Sequence, residues 1–149
     1  MKLIDLQFTS NHCYIISEYC EGGNLEKYIK NNESIEWGDI IYQISEGCKY
    51  LSLQNIVHRD LKPANIFLQN GRWKIGDFGF SKKMPLSTSL VIENYKIGSP
   101  IFMPLETLER NMYSSKSDSF SLGVIMYYLI SKEFPWNGSS FNKLIKNYK

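Results

Sequence analysis

Asp60, Lys62 and Asn65 stand together in Val57-His58-Arg59-Asp60-Leu61-Lys62-Pro63-Ala64-Asn65, and Asp77 follows beyond two strand-like segments. Two carboxylates and a carboxamide are hard oxygen donors that suit a divalent cation, and an ammonium beside them can meet a phosphate. Magnesium takes one or two protein carboxylates together with substrate phosphates, so the set suits a nucleotide-metal complex better than an all-protein calcium cage. That chemistry requires the four side chains to reach one place.

Asn70-Gly71 provides the means, because both residues tolerate the positive φ angles of the type I′ turn that matches strand twist. With those two at the turn, Gln69 faces Arg72, Leu68 faces Trp73, Phe67 faces Lys74, Ile66 faces Ile75 and Asn65 faces Gly76. The period of two puts Ile66, Leu68, Trp73 and Ile75 on one apolar face and turns Phe67 the other way. Asp77 thereby lies beside Asn65, and the Pro-containing polar loop before the hairpin brings Asp60 and Lys62 to the same end.

The other elements follow from period and punctuation. Leu3 to Phe8 and Cys13 to Tyr19 read as an antiparallel strand pair joined by the polar Thr9 to His12. Leu25 to Lys30 reads as a short helix. Ile40, Ile41, Ile44, Cys48 and Leu51 form a helical stripe in a segment running from Ser34 to about Leu53. Further helices are expected over Pro104 to Arg110, Asp118 to Ser131 and Phe141 to Tyr148, the second apolar nearly all round and so buried. Tyr127 and Tyr128 are expected in the core, His58 as a packed structural imidazole, and Lys82-Lys83 as a solvated pair.

Composition excludes more than it identifies. With 149 residues, 43% hydrophobic and 21% charged, the chain is of ordinary globular type and the size of one domain. Its 17 basic against 15 acidic residues leave a net charge of +2, which gives no electrostatic case for nucleic acid. The aromatics, 14% of the chain, do not interleave with Arg or Lys as a base-stacking surface would require. Cys13, Cys20 and Cys48 have neither disulfide nor zinc spacing and read as reduced thiols of a cytoplasmic protein. The apolar stretch Leu122 to Ile130 is well short of the ~20 residues of a membrane span, and no cleavable signal is visible.

His58-Arg59-Asp60-Leu61 with Asn65, followed by Asp77-Phe78-Gly79, resembles the catalytic loop and metal-binding triplet of eukaryotic protein kinases. Glu18-Tyr19-Cys20-Glu21-Gly22-Gly23-Asn24-Leu25 is similar to the hinge of that family and the helix after it. Gly98-Ser99-Pro100 before Phe102-Met103, Asp118-Ser119-Phe120-Ser121-Leu122-Gly123 and Phe134-Pro135-Trp136 are further matches, so the resemblance covers nearly the whole chain. It implies an α+β, protein-kinase-like fold. Residues 1–20 would be the end of the smaller lobe and the hinge, and 21–149 a mainly helical larger lobe that stops before its last helices.

The resemblance also implies a function: transfer of the ATP γ-phosphate to a Ser or Thr hydroxyl of a protein substrate, with Mg2+. Asp60 would take or orient the hydroxyl proton and Lys62 would neutralise γ-phosphate charge, while Asn65 and Asp77 would hold magnesium. Glu18, Cys20 and Asn24 would border the nucleotide, the first two bonding adenine through their backbone, and Phe67 would floor its ring. Lys62 after Asp60-Leu61, together with Ser99, resembles the serine/threonine class. Arg59 resembles the arginine that receives a phosphate from an activating kinase, for which Ser81, Ser87, Thr88, Ser89 and Tyr95 are available. Phe78 and Gly79 complete the triplet. Glu106 resembles a buried acid that pairs in the family with an Arg of the last helices, an Arg expected to be missing from these 149 residues, and Asp118 the helix-start acid that braces the catalytic loop. Ser99 and Phe80 are weakly similar to autophagy-related kinases.

The departures are as informative. No Gly-x-Gly-x-x-Gly occurs, and neither an early-strand lysine nor a helical glutamate precedes the hinge. These absences lead to the expectation of a partial sequence of a longer kinase. The alternative is a non-catalytic kinase-like binding module engaging partners through Gly98 to Glu106 and Phe134 to Phe141. Pro104-Leu105-Glu106 replaces the usual Ala-Pro-Glu, an exchange that could loosen the following helix, and Phe120 replaces a common Trp.

Overall fold

The computed structural model describes residues 1–32, 34–85, 87–136 and 141–148. The chain opens with an antiparallel hairpin of β1 (Leu3–Phe8) and β2 (Cys13–Ser17), in which Leu6 faces Ile15 and Phe8 faces Cys13. The second strand ends at Ser17 rather than Tyr19. There the chain leaves the hairpin to lie against the later strand β4 (Ile66–Gln69), with Gly22 N donating to Leu68 O at 3.0 Å and Leu68 N to Gly23 O at 2.9 Å.

Helix α1 (Leu25–Asn31) begins where the Asn24 side chain accepts the Lys27 N–H, satisfying one of the donors every helix start leaves open. Helix α2 (Trp37–Leu53) starts three residues after Ser34, the expected beginning of the helical segment, and buries Ile40, Ile44 and Leu51. Strand β3 (Ile56–Val57) leads into the loop 57–65. The 3-10 turn Pro63–Asn65 then delivers the chain to β4, which pairs with β5 (Arg72–Ile75).

The register of β4 and β5 is the expected one, Ile66 to Ile75 through Gln69 to Arg72, around Asn70 and Gly71 at φ 50° and 72°. Ile66, Trp73 and Ile75 are buried and Leu68 is partly so. After a 3-10 turn at Phe78–Phe80, β6 (Lys82–Lys83) pairs with β3, and β7 (Val91–Ile92) pairs with β8 (Met112–Tyr113).

Helix α3 (Leu105–Arg110) is intact despite Pro104, whose carbonyl accepts both Thr107 N at 3.1 Å and Leu108 N at 3.0 Å. Proline lacks only a donor, and a helix start has no internal partner for that donor in any case. Helix α4 (Ser115–Ser131) starts three residues before Asp118, because Ser114 and Ser117 form a reciprocal capping box. At its other end Lys132 donates to Ile29 O and Asn32 O, tying it to the end of α1. Helix α5 (Phe141–Tyr148) keeps its expected bounds.

Side chains of α1, α2, α4 and the β4–β5 hairpin share the main core with Leu61 and Phe102, while Met103, Leu108 and Leu144 form a second cluster. Two expectations for α4 need correction. It is not buried all round among the described residues, and Tyr127 is 47% exposed. A uniformly apolar helix does not reveal which of its faces has a neighbour. Tyr128 does pack, stacked on Phe134 at 4.4 Å between ring centres. No helix among the described residues is long and apolar enough to cross a membrane.

Candidate active site

Loop 57–65 is fixed from both sides before any of its side chains can act. The buried Asp118, reaching up from the first turn of α4, accepts His58 N at 2.7 Å on one carboxylate oxygen and Arg59 N at 3.0 Å on the other. Burial pushes its carboxyl above the usual carboxylate range, and these two N–H bonds oppose the shift. His58 is fully buried, with Nε2 3.0 Å from Gly76 O and its ring edge-on to Phe78 at 5.2 Å. It thus links the loop to the segment that carries Asp77.

Within that frame Asp60, Lys62 and Asn65 converge. Lys62 Nζ lies 2.8 Å from Asp60 Oδ2 and donates to Ser99 Oγ at 2.9 Å. Asn65 Nδ2 donates to Asp60 O at 2.9 Å and to Oδ2 at 3.1 Å, which leaves its own Oδ1 outside these bonds. Asp60 Oδ1 is buried and has no hydrogen-bond partner. A buried acceptor without a partner is costly and needs an explanation, and a proton donor supplied by a substrate is one.

Asp77 is placed by the hairpin register, since Gly76 N donates to Asn65 O at 2.9 Å. Its backbone is left-handed at φ 58°, and among the described residues its exposed carboxylate accepts a hydrogen bond from Gly79 N alone, at 3.4 Å. No hydrogen bond links Asp77 directly to Asp60, Lys62 or Asn65, so the four residues share an end of the hairpin rather than one contact set. Asn65 Oδ1 and the Asp77 carboxylate are hard oxygen donors and fit magnesium, which relies on substrate phosphates and water for its remaining ligands. Among the described residues no cluster of three or more His, Cys, Asp or Glu could hold a metal unaided.

Two adjoining cavities share Met1 and Ser17. One, of about 380 Å³, is lined by Glu18, Tyr19, Cys20, Asn24, Lys27 and Phe67, and the other, of about 450 Å³, by Leu3, Ile15, Asp77, Phe78 and Gly79. Phe67 therefore faces a cavity rather than the core, as its place in the register requires. Cys20 is buried. Glu18 is held by Lys74 Nζ at 2.8 Å and by Lys2 N at 2.6 Å, and those contacts lower its carboxyl below the usual range. Asn24 uses its side-chain oxygen to accept the Lys27 N–H of the α1 cap, which fixes its orientation and leaves its amide N–H groups outside that bond.

Other expectations fail or need extension. Glu106 is exposed rather than buried, and it makes no ion pair with a described residue. It lies on the first turn of α3, on the side away from the buried Thr107 and Leu108. Lys82 is not simply solvated, because it pairs with Glu93 at 2.8 Å. The same Glu93 oxygen lies 2.6 Å from Arg59 Nη1, while Arg59 Nε donates to Phe80 O at 2.5 Å. The Arg59 guanidinium sits 5.7 Å from the centre of the Tyr113 ring. Burial raises the Tyr113 phenol, whose hydroxyl donates to Ile97 O and accepts Ile97 N. Of the proposed binding-module surface, residues 137–140 lie outside the described residues.

A family model described as Protein kinase domain matches residues 1–149. Among curated proteins, the serine/threonine-protein kinase atg1 of Dictyostelium discoideum is 39% identical, over 89% of this chain and 20% of its own length. The serine/threonine-protein kinase Nek3 of Mus musculus is 34% identical over 90% of this chain and 27% of its own length. ATG1c of Arabidopsis thaliana is 31% identical over 99% and 21% respectively. The chain thus spans between a fifth and just over a quarter of the length of these relatives.

Proposed function

Because this chain belongs to the protein kinase family, we propose that it carries the catalytic half of a serine/threonine protein kinase, transferring the ATP γ-phosphoryl group to a protein hydroxyl. The observation that carries the proposal is the Asp60, Lys62, Asn65 and Ser99 cluster, with its buried, unpartnered Asp60 Oδ1. In this reading residues 1–20 are the end of the smaller lobe and the hinge, and 21–149 belong to the larger lobe.

Asp60 accepts the hydroxyl proton on its free oxygen as the hydroxyl attacks phosphorus and the bond to the bridging oxygen breaks. Asn65 holds the other carboxylate oxygen and so fixes the orientation of the acceptor. Lys62 is steered by both Asp60 and Ser99 and lends positive charge to the transferring group, whose transition state spreads negative charge over its oxygens. Asn65 Oδ1 and Asp77 would hold magnesium, which neutralises phosphate charge when bound. Adenine lies in the cavity of Glu18, Cys20 and Phe67, with Asn24 at its edge.

These 149 residues include no Gly-rich loop and no early-strand lysine, the groups that cover and orient phosphates in the family. Taken alone they are expected to bind magnesium-ATP weakly at best and to show no detectable turnover. Fusion to a competent amino-terminal lobe is expected to give transfer to Ser or Thr peptides, measured with labelled ATP. In that fusion Asp77→Asn abolishes transfer and Asp60→Asn lowers it by a factor on the order of 10³. An unchanged rate in either variant removes the role assigned to that carboxylate.

A further inference from the structure

Two separate stretches of chain meet at one side-chain oxygen of Glu93, and a third meets its backbone amide. Oε1 receives Arg59 from the catalytic loop at 2.6 Å and Lys82 from β6 at 2.8 Å, while the Glu93 amide donates to Asn111 O beside β8 at 3.1 Å. The Arg59 side chain is only 10% exposed and that of Glu93 17%. Arginine stays protonated under all ordinary conditions, so a guanidinium this enclosed requires an anion, and with Lys82 a second cation converges on the same point.

Arg59 is also the residue before Asp60, and its backbone is held at φ 69°, a left-handed conformation that a non-glycine residue keeps only when its surroundings enforce it. Asp118 supplies one constraint, on the Arg59 amide. Glu93 and the Phe80 carbonyl supply the others, on the side chain.

Resting on the assignment of Asp60 as proton acceptor, we infer that Glu93 is a positioning residue for that reaction, its carboxylate filling between Arg59 and Lys82 the place a phosphate on this segment would otherwise take. The catalytic loop, β6 and the β7–β8 pair are then held together in the unphosphorylated chain. Phosphate organises such segments by pairing with an arginine cluster, and here the cluster already has its acid. Lys82 first, and Arg59 with it, hold the Glu93 carboxyl below the usual carboxylate range, so it is charged at neutral pH. Order in this segment then needs no activating kinase.

The test is backbone hydrogen exchange on phosphatase-treated protein whose mass shows it free of phosphate. It requires no turnover, so it succeeds or fails independently of the phosphoryl-transfer reading. Residues 91–93 and 112–113 are expected to be protected in the wild type. In Glu93→Gln they exchange roughly tenfold faster, while α2 and α4 keep their protection. Glu93→Asp retains most of the protection, and inorganic sulfate restores it to Glu93→Ala, which a purely space-filling role would not allow. Free exchange of this segment in the unphosphorylated wild type, full protection in Glu93→Gln, or no response of Glu93→Ala to sulfate would each overturn the inference.

Discussion

At Asp118 each carboxylate oxygen takes one backbone N–H of the catalytic loop, and no water replaces those bonds in a site this buried. Asp118→Ala strands both donors. At about 1–3 kcal/mol for each unsatisfied buried group, it is expected to cost roughly 2–6 kcal/mol in urea unfolding. Asp118→Asn keeps one acceptor and should lose less, so equal losses would show that the side-chain volume, not the bonds, matters. Cys48 tests burial in another way. Desolvation first, then the Asp118 charge, push its thiol from 9.0 up to about 12. The folded chain therefore holds this proton more tightly than the unfolded one. The resulting contribution to stability is complete below pH 9 and declines as pH rises towards 12. Cys48→Ala removes that decline, so the stability of wild type relative to variant should fall across this interval, and a constant difference would refute the shift. In the native chain at neutral pH a maleimide should modify exposed Cys13 and spare Cys48. Single residues were legible in the sequence where a pattern surrounds them, as with Asp60, Lys62 and Asn65. Glu93 had no such signal, being one acid in an irregular segment whose partner Arg59 lies 34 positions earlier.

Elements with a local rule were legible to the residue. The β4–β5 register follows from Asn70-Gly71 alone, because a two-residue turn leaves only one alignment and the apolar face allows no slip. Contacts between elements were not. Gly98 sits at φ 103° on the segment before the Pro100–Phe102 turn, and a Cβ there would run into the backbone carbonyl oxygen of Arg59. The Ser99 that orients Lys62 is thus delivered by direct backbone-to-backbone approach onto the catalytic loop. Gly98→Ala is expected to lower stability by about 2 kcal/mol or more, combining a positive φ with a clash that backbone cannot relieve cheaply. It should also reduce transfer in the lobe-fusion protein beyond what lost folded protein explains, because Lys62 loses its second anchor. A variant as stable as wild type would show that the two loops can separate without consequence. The early start of α4 did have a signal, in the Ser114 and Ser117 capping box, but three polar residues preceding an apolar run read more readily as loop than as helix.

Across the molecule the distribution of exposed apolar surface separates a well-covered half from a bare one. Where α1, α2, α4 and the second hairpin face one another, their large side chains are buried, and the loop 57–65 rests on that core through Leu61. In the first hairpin the β1–β2 register places Leu6, Phe8 and Ile15 on a common face, and they remain 45%, 74% and 70% exposed. Tyr127 and Ile130 of α4 add a second uncovered patch. Alternation within the strands made the pairing legible, whereas no local pattern could say that nothing among the described residues covers that face. Such contiguous apolar surface favours self-association in an isolated soluble chain. The 149-residue chain is therefore expected to bind a fluorescent hydrophobic dye while its far-ultraviolet circular dichroism still reports folded helices. Light scattering should also show a mass that rises with concentration. Phe8→Ser with Ile15→Thr should weaken both signals without shifting the unfolding of the α2–α4 core, since the hairpin adds nothing to that core. A monodisperse monomer with no dye response would mean that the hairpin folds back to cover its own apolar face. The adjoining cavities beside Phe67 and Asp77, which Met1, Leu3 and Ile15 help to line, would then have a different shape from the one on which the proposed adenine and phosphate sites rest.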